Sequence, residues 1–363
     1  MPEINQFPRF FLGANSACEF HSIFEQLYNP NDNWQAFLLK GGPGTGKSSF
    51  MKDIANEFIN DDNNIEFIYC SSDPNSLDAI ILNNKKICIV DATSPHALEP
   101  KFPGACETLI NLGDCWDYKK LLENKKNIID LTTNCSALHI RSQRYLEAAN
   151  NILKDSYHLA LNCTDTIKIA RYAGRLAKRE FTSNKQKLGI ESLRFLSATT
   201  PFGVIFFNDT IKNLCDKVYV IEDTYSAVSR ILLSHIRNHA LAASYDIISC
   251  YCTLSPNEKL EHIIIPELKL GFVTSNRYHT YTSNIYRKIH FQRFTDIKNL
   301  NQYKNRLNFN KKAVKELINE ASNLILEAKN LHDNLEEYYI NAMDFDKIKI
   351  INNDILERIR LIK

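Results

Sequence analysis

A glycine-rich loop between an apolar run and an amphipathic segment is the feature that most constrains the fold of this chain. The run AFLLK (36–40) is typical of a buried parallel strand. The segment after the loop places Phe50, Ile54 and Phe58 on one helical face. The loop itself reads GGPGTGKS (41–48), and it holds four of the 11 glycines of the chain. Strand, glycine loop and helix in this order predict an α/β domain with a mainly parallel sheet.

The loop fits the pattern G-x-x-x-x-G-K-[ST], the phosphate-binding P-loop or Walker A motif. Glycines let backbone N–H groups wrap around a phosphate, because no Cβ obstructs the close approach. We expect Lys47 to reach the β- and γ-phosphates of ATP and the Ser48 hydroxyl to bind Mg²⁺. The helix that follows directs the positive end of its dipole at the same anion. The residues predicted to bind the nucleotide are Gly41, Gly42, Pro43, Gly44, Thr45, Gly46, Lys47, Ser48 and Ser49.

Asp91 is the predicted Walker B residue. It ends the apolar run KICIV, so we expect its carboxylate to support Mg²⁺ through a water at the edge of the sheet. An aspartate that only caps a loop is the alternative. The next residue is Ala92, where a vigorous ATPase often has a glutamate as base, so we expect slow intrinsic hydrolysis. No guanine-reading N-K-x-D segment is present, which favours ATP over GTP.

The chain repeats itself after about 180 residues. Sliding the sequence places AFLLKGGPGTGKSSFMKDI over VYVIEDTYSAVSRILLSHI and KICIVDATSPH over KLGFVTSNRYH. One further block matches between these two and two more match after them, all in the same order. We therefore predict two domains. Residues 1–182 form a P-loop nucleotide-binding domain with a helical extension, and residues 190–363 form a degenerate copy that ends in a helical hairpin.

The second copy lacks the phosphate loop. Its aligned segment EDTYSAVS contains no glycine, and Ser229 takes the position of Lys47 in this alignment. The acidic pair of Glu222 and Asp223 is expected to repel a phosphate. The second copy is therefore predicted to keep the fold and to have lost nucleotide binding.

Further carboxylates and a histidine are candidates for catalysis in the first copy. Asp73, Asp78 and Glu99 are candidates to orient a water or an acceptor hydroxyl. Asp73 follows the run IEFIYC, which predicts a place beside the loop, although it equally suits a turn with the next two residues. Lys47, Asp91 and Asp73 are the predicted catalytic residues. His96 aligns with His279 in the copy without the loop, which favours a structural role.

Arginines between the copies admit three interpretations. They are a solvated basic face, a source of an arginine finger for a γ-phosphate, or a polyanion-binding patch. The candidates are Arg171, Arg175 and Arg179 at i, i+4 and i+8, with Arg141 and Arg144 as weaker ones.

Helical patterns follow the apolar runs of each copy. Residues 118–178 are predicted to be helical. The C-terminal segment carries a heptad seam of apolar side chains, whose expected partner is an adjacent antiparallel helix around 296–310. The seam comprises Val314, Leu317, Ala321, Leu324, Ala328, Leu331, Leu335, Tyr338 and Ala342.

Charge and composition narrow the partners and the location. Forty-four Lys and Arg against 42 Asp and Glu give a formal charge of +2, so no global field favours nucleic acid or membrane. No run of about 18 uncharged apolar residues predicts a membrane-spanning helix, and no secretory signal is evident. None of the ten cysteines forms a C-x-x-C pair. We expect a cytoplasmic protein with reduced cysteines, no zinc site and no specific nucleic-acid recognition.

The motifs together resemble an uncharacterised family of bacterial tandem P-loop ATPases of about this length. The resemblance rests on FFLGAN, LLKGGPGTGKSSFMK, CSSDPNSLDAII, VDATSPHALEPKFPGA and NLGDCWD, and later on IIIPELKLG and LHDNLEEYYINAMDF. Family members usually carry the P-loop in both halves, whereas the second loop here is degenerate. The resemblance implies a duplicated, P-loop NTPase-like three-layer α/β fold with ATP binding and hydrolysis, and no substrate or pathway.

Three functions are open on the sequence. The leading expectation is an Mg²⁺-dependent ATPase with one working site, in which turnover moves the two halves. A small-molecule or nucleotide kinase would use the same phosphate cradle and a second pocket under the loop 94–116. A non-catalytic scaffold would bind ATP only to order the chain for a protein partner.

Overall fold

The computed structural model describes residues 6–17, 19–59, 64–182 and 187–362. The strands of the first copy are β1 (Arg9–Phe10), β2 (Gly13–Asn15), β3 (Phe20–Ser22), β4 (Gln35–Lys40), β5 (Ile65–Tyr69), β6 (Leu77–Leu82), β7 (Ile87–Asp91) and β8 (Glu107–Asn111). Its helices are α1 (Lys47–Phe58), α2 (Tyr118–Glu123), α3 (Lys125–Leu161) and α4 (Thr166–Glu180).

The second copy repeats this series. Its strands are β9 (Glu191–Arg194), β10 (Ser197–Thr200), β11 (Gly203–Phe206), β12 (Lys217–Glu222), β13 (Ile247–Tyr251), β14 (Leu260–Ile265), β15 (Leu270–Ser275) and β16 (Ile285–His290). Its helices are α5 (Asn208–Leu214), α6 (Ala227–Ala242), α7 (Ile297–Asn301), α8 (Lys304–Ile340) and α9 (Phe345–Leu361).

Each copy builds a six-stranded sheet of the same topology. The first sheet has the order β1-β5-β6-β7-β4-β8, and the second has the matching order β9-β13-β14-β15-β12-β16. Only β6 and β14 run antiparallel to their neighbours, and the other pairs in both sheets are parallel. The predicted duplication and the mainly parallel α/β architecture are confirmed.

The predicted opening of strand, loop and helix is confirmed as β4, the loop 41–46 and α1. The apolar runs IEFIYC and KICIV form β5 and β7, and the helical stretch 118–178 forms α2, α3 and α4. The strand β6 was not predicted from its segment LDAIIL. All six of its residues are buried, and a short, fully buried run cannot be distinguished from a buried helix by its period alone.

The last helix of each copy packs into the core of the sheet built by the other copy. In the first core, Phe50 and Ile54 of α1 cluster with Ile348, Ile355 and Ile359 of α9. The second core has the equivalent arrangement, in which α6 packs with α4. The α4 members of that cluster are Ile169, Tyr172, Ala173 and Leu176.

The chain therefore divides into two compact units that differ from the two sequence copies. The first unit contains residues up to Ala14, Ser22–Ser142 and residues from Ser322 onward, and the second contains Asn15–His21 and Gln143–Ala321. The predicted boundaries 1–182 and 190–363 mark the sequence repeat. The compact units instead divide the long helices α3 and α8.

The predicted antiparallel partner of the heptad seam around 296–310 is wrong. Because α8 is continuous from Lys304, the segment around 296–310 contains no separate antiparallel partner for the heptad seam. In the second unit, Val314 and Ile318 of α8 pack with Leu146 and Ala149 of α3. Heptad spacing identifies the face of a helix that is buried, but it does not identify the helix that covers it.

Two further findings concern membrane-spanning helices and disulfide bonds. Within the described ranges, no helix combines the length and the apolar character that crossing a bilayer requires. No disulfide bond joins the nine cysteines in those ranges, and Cys18 lies outside them.

Candidate functional site

The glycine loop joins β4 to α1 by a tight turn. Gly44 and Gly46 have φ angles of 66° and 88°, in the left-handed region that glycine adopts without steric cost. Gly46 is the N-cap of α1, and the buried Thr45 donates its hydroxyl hydrogen to the carbonyl of Gly42 at 2.8 Å. The first turn of α1 presents N–H groups that no helical carbonyl accepts, which is the arrangement at which helices bind anions.

Lys47 and Asp91 are brought together by neighbouring strands. β4 and β7 are parallel, and Leu39 lies opposite Asp91 in their register. The ammonium of Lys47 lies 3.6 Å from Oδ2 of Asp91, and the two side chains are 10% and 15% exposed. It also donates hydrogen bonds to the carbonyls of Gly41 and Gly42, at 3.0 and 2.8 Å. The predicted phosphate-binding lysine and the predicted Walker B residue thus meet at the loop.

Ser48 and Asp91 offer oxygen atoms of the kind that Mg²⁺ prefers. Oγ of Ser48 accepts a hydrogen bond from the N–H of Leu77 at 3.0 Å. Oδ1 of Asp91 accepts from the N–H of Thr93 at 2.9 Å and from the Thr93 hydroxyl. These contacts fix both side chains while Oδ2 of Asp91 faces the loop lysine. The chemistry of the two donors therefore fits the predicted metal ion.

Asp73 lies in the turn between β5 and β6. Its Oδ2 accepts a hydrogen bond from the Ser76 hydroxyl at 2.6 Å, and its Oδ1 lies 3.8 Å from Nζ of Lys329. The end of this turn contacts α1 through the hydrogen bond from Leu77 to Ser48. Asp73 thus shapes the turn and also lies in the segment that borders the helix start, so both sequence-based interpretations have a structural basis.

The remaining candidates have partners of their own. Glu99, whose side chain is 77% exposed, pairs with Lys40 at 2.6 Å. Asp78 is buried in β6, and its Oδ2 lies 3.4 Å from Nε2 of His96. Burial lowers the pKa of His96, but the charge and hydrogen bond of Asp78 together with the charge of Asp91 raise it, so the pKa lies above its usual value. Asp78 and His96 form a buried pair.

The carboxyl end of α8 covers the glycine loop, which the sequence patterns did not predict. A Cβ on Gly42 would lie 2.6 Å from the ring of Tyr339. The N–H of Gly44 donates to Oε1 of Glu336 at 3.2 Å, and a Cβ on Gly44 would lie 2.8 Å from the Glu336 carbonyl oxygen. These glycines therefore permit close approach of a helix as well as a turn.

α8 also brings charges to this side of the loop. Nζ of Lys329 lies 2.8 Å from Oδ2 of Asp333, and Nδ1 of His332 lies 3.7 Å from Oε1 of Glu336. Burial lowers the pKa of Lys329, but the hydrogen bond to Asp333 and the charge of Asp73 raise it above its usual value. The ammonium of Lys329 is thus held as a cation beside the predicted catalytic carboxylate.

In the second copy, a carboxylate accepts hydrogen bonds from the N–H groups at the equivalent helix start. Asp223 follows β12 and is 2% exposed. Its Oδ1 accepts hydrogen bonds from the N–H groups of Tyr225 and Ser226, both at 3.1 Å. Its Oδ2 accepts from the N–H groups of Val228 and Ser229, at 2.9 and 2.8 Å. A side chain of the protein takes the hydrogen bonds that a phosphate takes at such a site.

The second loop is also shorter, which corrects the predicted alignment. Six residues separate Lys40 from Lys47, but only four separate Glu222 from Ala227, where α6 begins. The counterpart of Lys47 is therefore Ala227 and not Ser229. The second copy has no lysine at this position in either alignment. Asp223 not only repels a phosphate but also accepts the hydrogen bonds of the N–H groups that would bind one.

The predicted basic residues are exposed on α3 and α4. They are Arg141, Arg144, Arg171, Arg175 and Arg179. Arg179 donates to the hydroxyl of Tyr219 at 2.6 Å and pairs with Glu180 at 2.9 Å, both within the second unit. These contacts fit a solvated basic face, and none of them involves the glycine loop.

Comparisons with protein-family models, with curated proteins and with solved structures return no match to this chain. The functional proposal therefore depends on the residues of the site.

Proposed function

We propose that the first unit binds Mg²⁺ and ATP at the glycine loop and hydrolyses the nucleotide, while the corresponding loop of the second unit does not bind nucleotide. The observation that carries the proposal is the proximity of Lys47 and Asp91, whose ammonium and carboxylate lie 3.6 Å apart beside a glycine loop and a helix start. A cation, a carboxylate and the N–H groups of a helix start at one loop suit the recognition of phosphates with a metal ion.

Each residue has a defined part in this proposal. The loop N–H groups and Lys47 hold the phosphates, and the lysine exchanges its present carbonyl acceptors for phosphate oxygens. Ser48 would hold Mg²⁺ through its hydroxyl and Asp91 through a water, and the charge of the ion would neutralise the phosphates. In hydrolysis, a water oxygen bonds to the terminal phosphorus as the bond to the ADP oxygen breaks. The proton of that water passes to a carboxylate, for which Asp73 remains the candidate.

The second loop supports a single site per chain. The buried carboxylate of Asp223 accepts four backbone N–H bonds there, and Ala227 stands where the first copy has Lys47. A phosphate would have to displace a charged, fully hydrogen-bonded group without help from a lysine. In competition for these N–H groups, the carboxylate of Asp223 is therefore favoured over a phosphate.

A nucleotide-dependent switch is the second candidate. Ala92, directly after Asp91, is fully buried, and its N–H donates to the carbonyl of Leu39 at 2.9 Å. This position therefore offers no carboxylate to activate a water. Slow turnover of this kind suits a protein in which bound ATP changes the order of the chain for a partner.

Calorimetric titration of the full chain with Mg²⁺ and ATP tests the proposal. We expect one site per chain, and we expect Lys47→Ala to weaken binding by about 10- to 100-fold, as expected for loss of charge-assisted hydrogen bonds. Lys86→Ala, which removes an exposed lysine paired with Asp32, is the matched control and keeps full affinity. Two sites per chain, or full affinity in Lys47→Ala, would overturn the assignment.

Phosphate release then separates the candidate functions. Hydrolysis predicts release that falls in Asp73→Asn and Asp91→Asn. Binding without release, with or without added protein partners, favours the switch. Consumption of ATP that rises sharply with one metabolite from a pool would instead indicate phosphoryl transfer to an acceptor.

A further inference from the structure

A cluster of three different metal-ligating side chains, two of them buried and one half-buried, lies in the first unit. Cys70 directly follows β5, Asp78 is the second residue of β6, and His96 lies in the segment after β7. Their ligand atoms all lie within 4.8 Å of one another. The side chains of Asp78 and His96 are 5% and 6% exposed. The proposed ATP site assigns no task to this cluster.

The second copy has a related cluster, in which the ligand atoms of Glu261, His262 and His279 lie within 4.8 Å of one another. Cys252 and Glu261 occupy the positions of Cys70 and Asp78, since each cysteine follows the matching strand and each carboxylate is the second residue of the next one. Matching backbone hydrogen bonds support this equivalence. The N–H of Cys70 donates to the carbonyl of Ser76 at 3.1 Å, and the N–H of Cys252 donates to the carbonyl of Lys259 at 2.8 Å. Ser76 and Lys259 are therefore equivalent.

In the second copy, a lysine lies within this cluster. Nζ of Lys259 is 2.6 Å from Oε1 of Glu261 and 3.8 Å from Sγ of Cys252. The side chains of the lysine and the glutamate are 13% and 3% exposed. In the second copy, Lys259 thus supplies a positive charge beside Glu261 and Cys252. Similarly, Asp223 supplies a negative charge at the start of α6.

The first copy arranges the same position differently. Ser76 replaces the lysine, and its hydroxyl donates to Asp73 at 2.6 Å. A buried carboxylate is costly unless a cation or hydrogen bonds compensate it. In the first copy His96 is therefore the partner of Asp78, and no lysine takes the place that Lys259 has in the second copy.

We propose that Cys70, Asp78 and His96 bind a divalent transition-metal ion of the zinc class. Thiolate, carboxylate and imidazole are the ligands that Zn²⁺ takes in proteins, whereas Mg²⁺ and Ca²⁺ select oxygen. In a tetrahedral site with bonds of about 2.0–2.1 Å, the nitrogen and oxygen ligands lie about 3.3 Å apart. The observed separation of Nε2 of His96 and Oδ2 of Asp78 is 3.4 Å.

Binding exchanges protons for the metal ion. The thiol of Cys70 loses its proton to solvent, any proton on Nε2 of His96 is released as well, and the thiolate and the imidazole nitrogen each donate an electron pair to the metal. Three protein ligands leave a fourth position of the tetrahedron for water or another small ligand, as in zinc sites with a chemical role.

Titration of the full, chelator-treated chain with Co²⁺ or Zn²⁺ alone tests the site. We expect one equivalent of either ion, with a thiolate-to-cobalt absorption band that Zn²⁺ removes by displacement. Cys70→Ser removes the band. Ser76→Lys places in the first copy the lysine of the second and abolishes binding in a folded chain, as checked by circular dichroism. Cys252→Ser, the matched control, leaves the band unchanged.

The reciprocal variant tests the equivalence of the copies. Lys259→Ser removes the internal cation, and we expect it to raise the metal stoichiometry from one to two. Lys47→Ala leaves the stoichiometry at one, so failure of the ATP site and failure of the metal site are distinguishable. A chain that shows no thiolate-to-cobalt band, or one whose band persists in Cys70→Ser, overturns the proposal. Failure of Lys259→Ser to gain an equivalent would contradict the equivalence on which it depends.

Discussion

The N–H of Gly44 donates a hydrogen bond to a carboxylate oxygen of Glu336, 3.2 Å away. A negative charge from α8 therefore lies on the loop to which we assign the phosphates of ATP. Phosphates and this carboxylate compete for the same kind of donor, and their like charges repel. Glu336 is thus expected to set the affinity of the loop for nucleotide.

Removing this charge is expected to strengthen nucleotide binding. Glu336→Gln keeps the size of the side chain and an oxygen that accepts the hydrogen bond from Gly44, but it removes the repulsion. We expect the dissociation constant for Mg²⁺ and ATP to fall about 3- to 10-fold at low salt, and the gain to shrink at high salt. Glu337→Gln, on the exposed side of the same turn, is the control. Unchanged or weaker binding in Glu336→Gln contradicts this view of the contact.

A methyl group on Gly44 is expected to disturb both the loop and the helix above it. The φ angle of 66° strains any other residue, and a Cβ would lie 2.8 Å from the backbone oxygen of Glu336. We expect Gly44→Ala to lower the free energy of unfolding by about 2 to 4 kcal/mol. Gly104→Ala is the control. Gly104 has a φ of 79°, and a Cβ there has no atom within 4 Å, so this variant measures the cost of the backbone strain alone. Equal losses in the two variants would show that α8 does not constrain the loop.

Removing the internal anion of the second unit is expected to expose its N–H groups. Asp223→Ala leaves the amides of Tyr225, Ser226, Val228 and Ser229 without their acceptor, at a cost of about 3 to 5 kcal/mol in the free energy of unfolding. We expect faster hydrogen exchange at these amides, and partial protection when inorganic phosphate is added.

Asp216→Ala provides the comparison for this variant, because Asp216 is an exposed partner of Lys269. Phosphate is expected to protect neither the wild type nor this control. Equal protection of the wild type by phosphate would show that Asp223 does not occupy the anion position.

The second unit is expected to lose stability in mild acid because of His262. This side chain stacks on Phe206 at 5.4 Å between ring centroids, and it lies near His279, Glu261 and Lys259. Burial lowers the pKa of His262 to about 3, and the neighbouring His279 adds to this effect. The unfolded chain therefore takes up a proton that the folded chain does not, and stability falls as the pH drops from about 6.5 towards 3.

His262→Phe preserves the aromatic stack and removes the titration. We expect the wild type to lose about 1 to 2 kcal/mol more than this variant between pH 7 and pH 5, as measured by denaturant unfolding at each pH. His239→Phe, at an exposed position of α6, is the control and follows the wild type. Identical pH dependence in wild type and His262→Phe would show that His262 does not enter the folded state uncharged.

The sequence predicted those parts of the site that lie within one short segment. The motif 41–48 and the aspartate after KICIV were sufficient to place Lys47 and Asp91 together, because parallel neighbouring strands end at one edge. The contact of Glu336 with Gly44 joins residues 292 positions apart, and no local pattern encodes it. Periodicity showed which face of α8 is buried, but a repeat cannot tell which of two similar sheets a helix covers.

The same limit applies to the metal-ligating cluster. Cys70, Asp78 and His96 lie on three separate segments, so their spacing fits no cysteine or histidine motif. The order of the strands brings them together. Comparison of the two copies could have signalled the cluster, since cysteine, carboxylate and histidine recur in both, but only the structure identifies Lys259 as their cation in the second.

The packing of α9 against α1 affects the order in which the protein forms during synthesis. Asn352 donates a hydrogen bond to the carbonyl of Phe50, a partner 302 residues earlier in the chain. At about 5–20 residues per second, a ribosome takes roughly 15 to 60 s to span that distance. The first sheet leaves the ribosome long before the helix that completes its core, so its apolar surface needs protection by chaperones or by transient contacts until then. Because the final helix of the second copy completes the core of the first sheet, the part of the chain that is synthesised first depends for its folding on the part that is synthesised last.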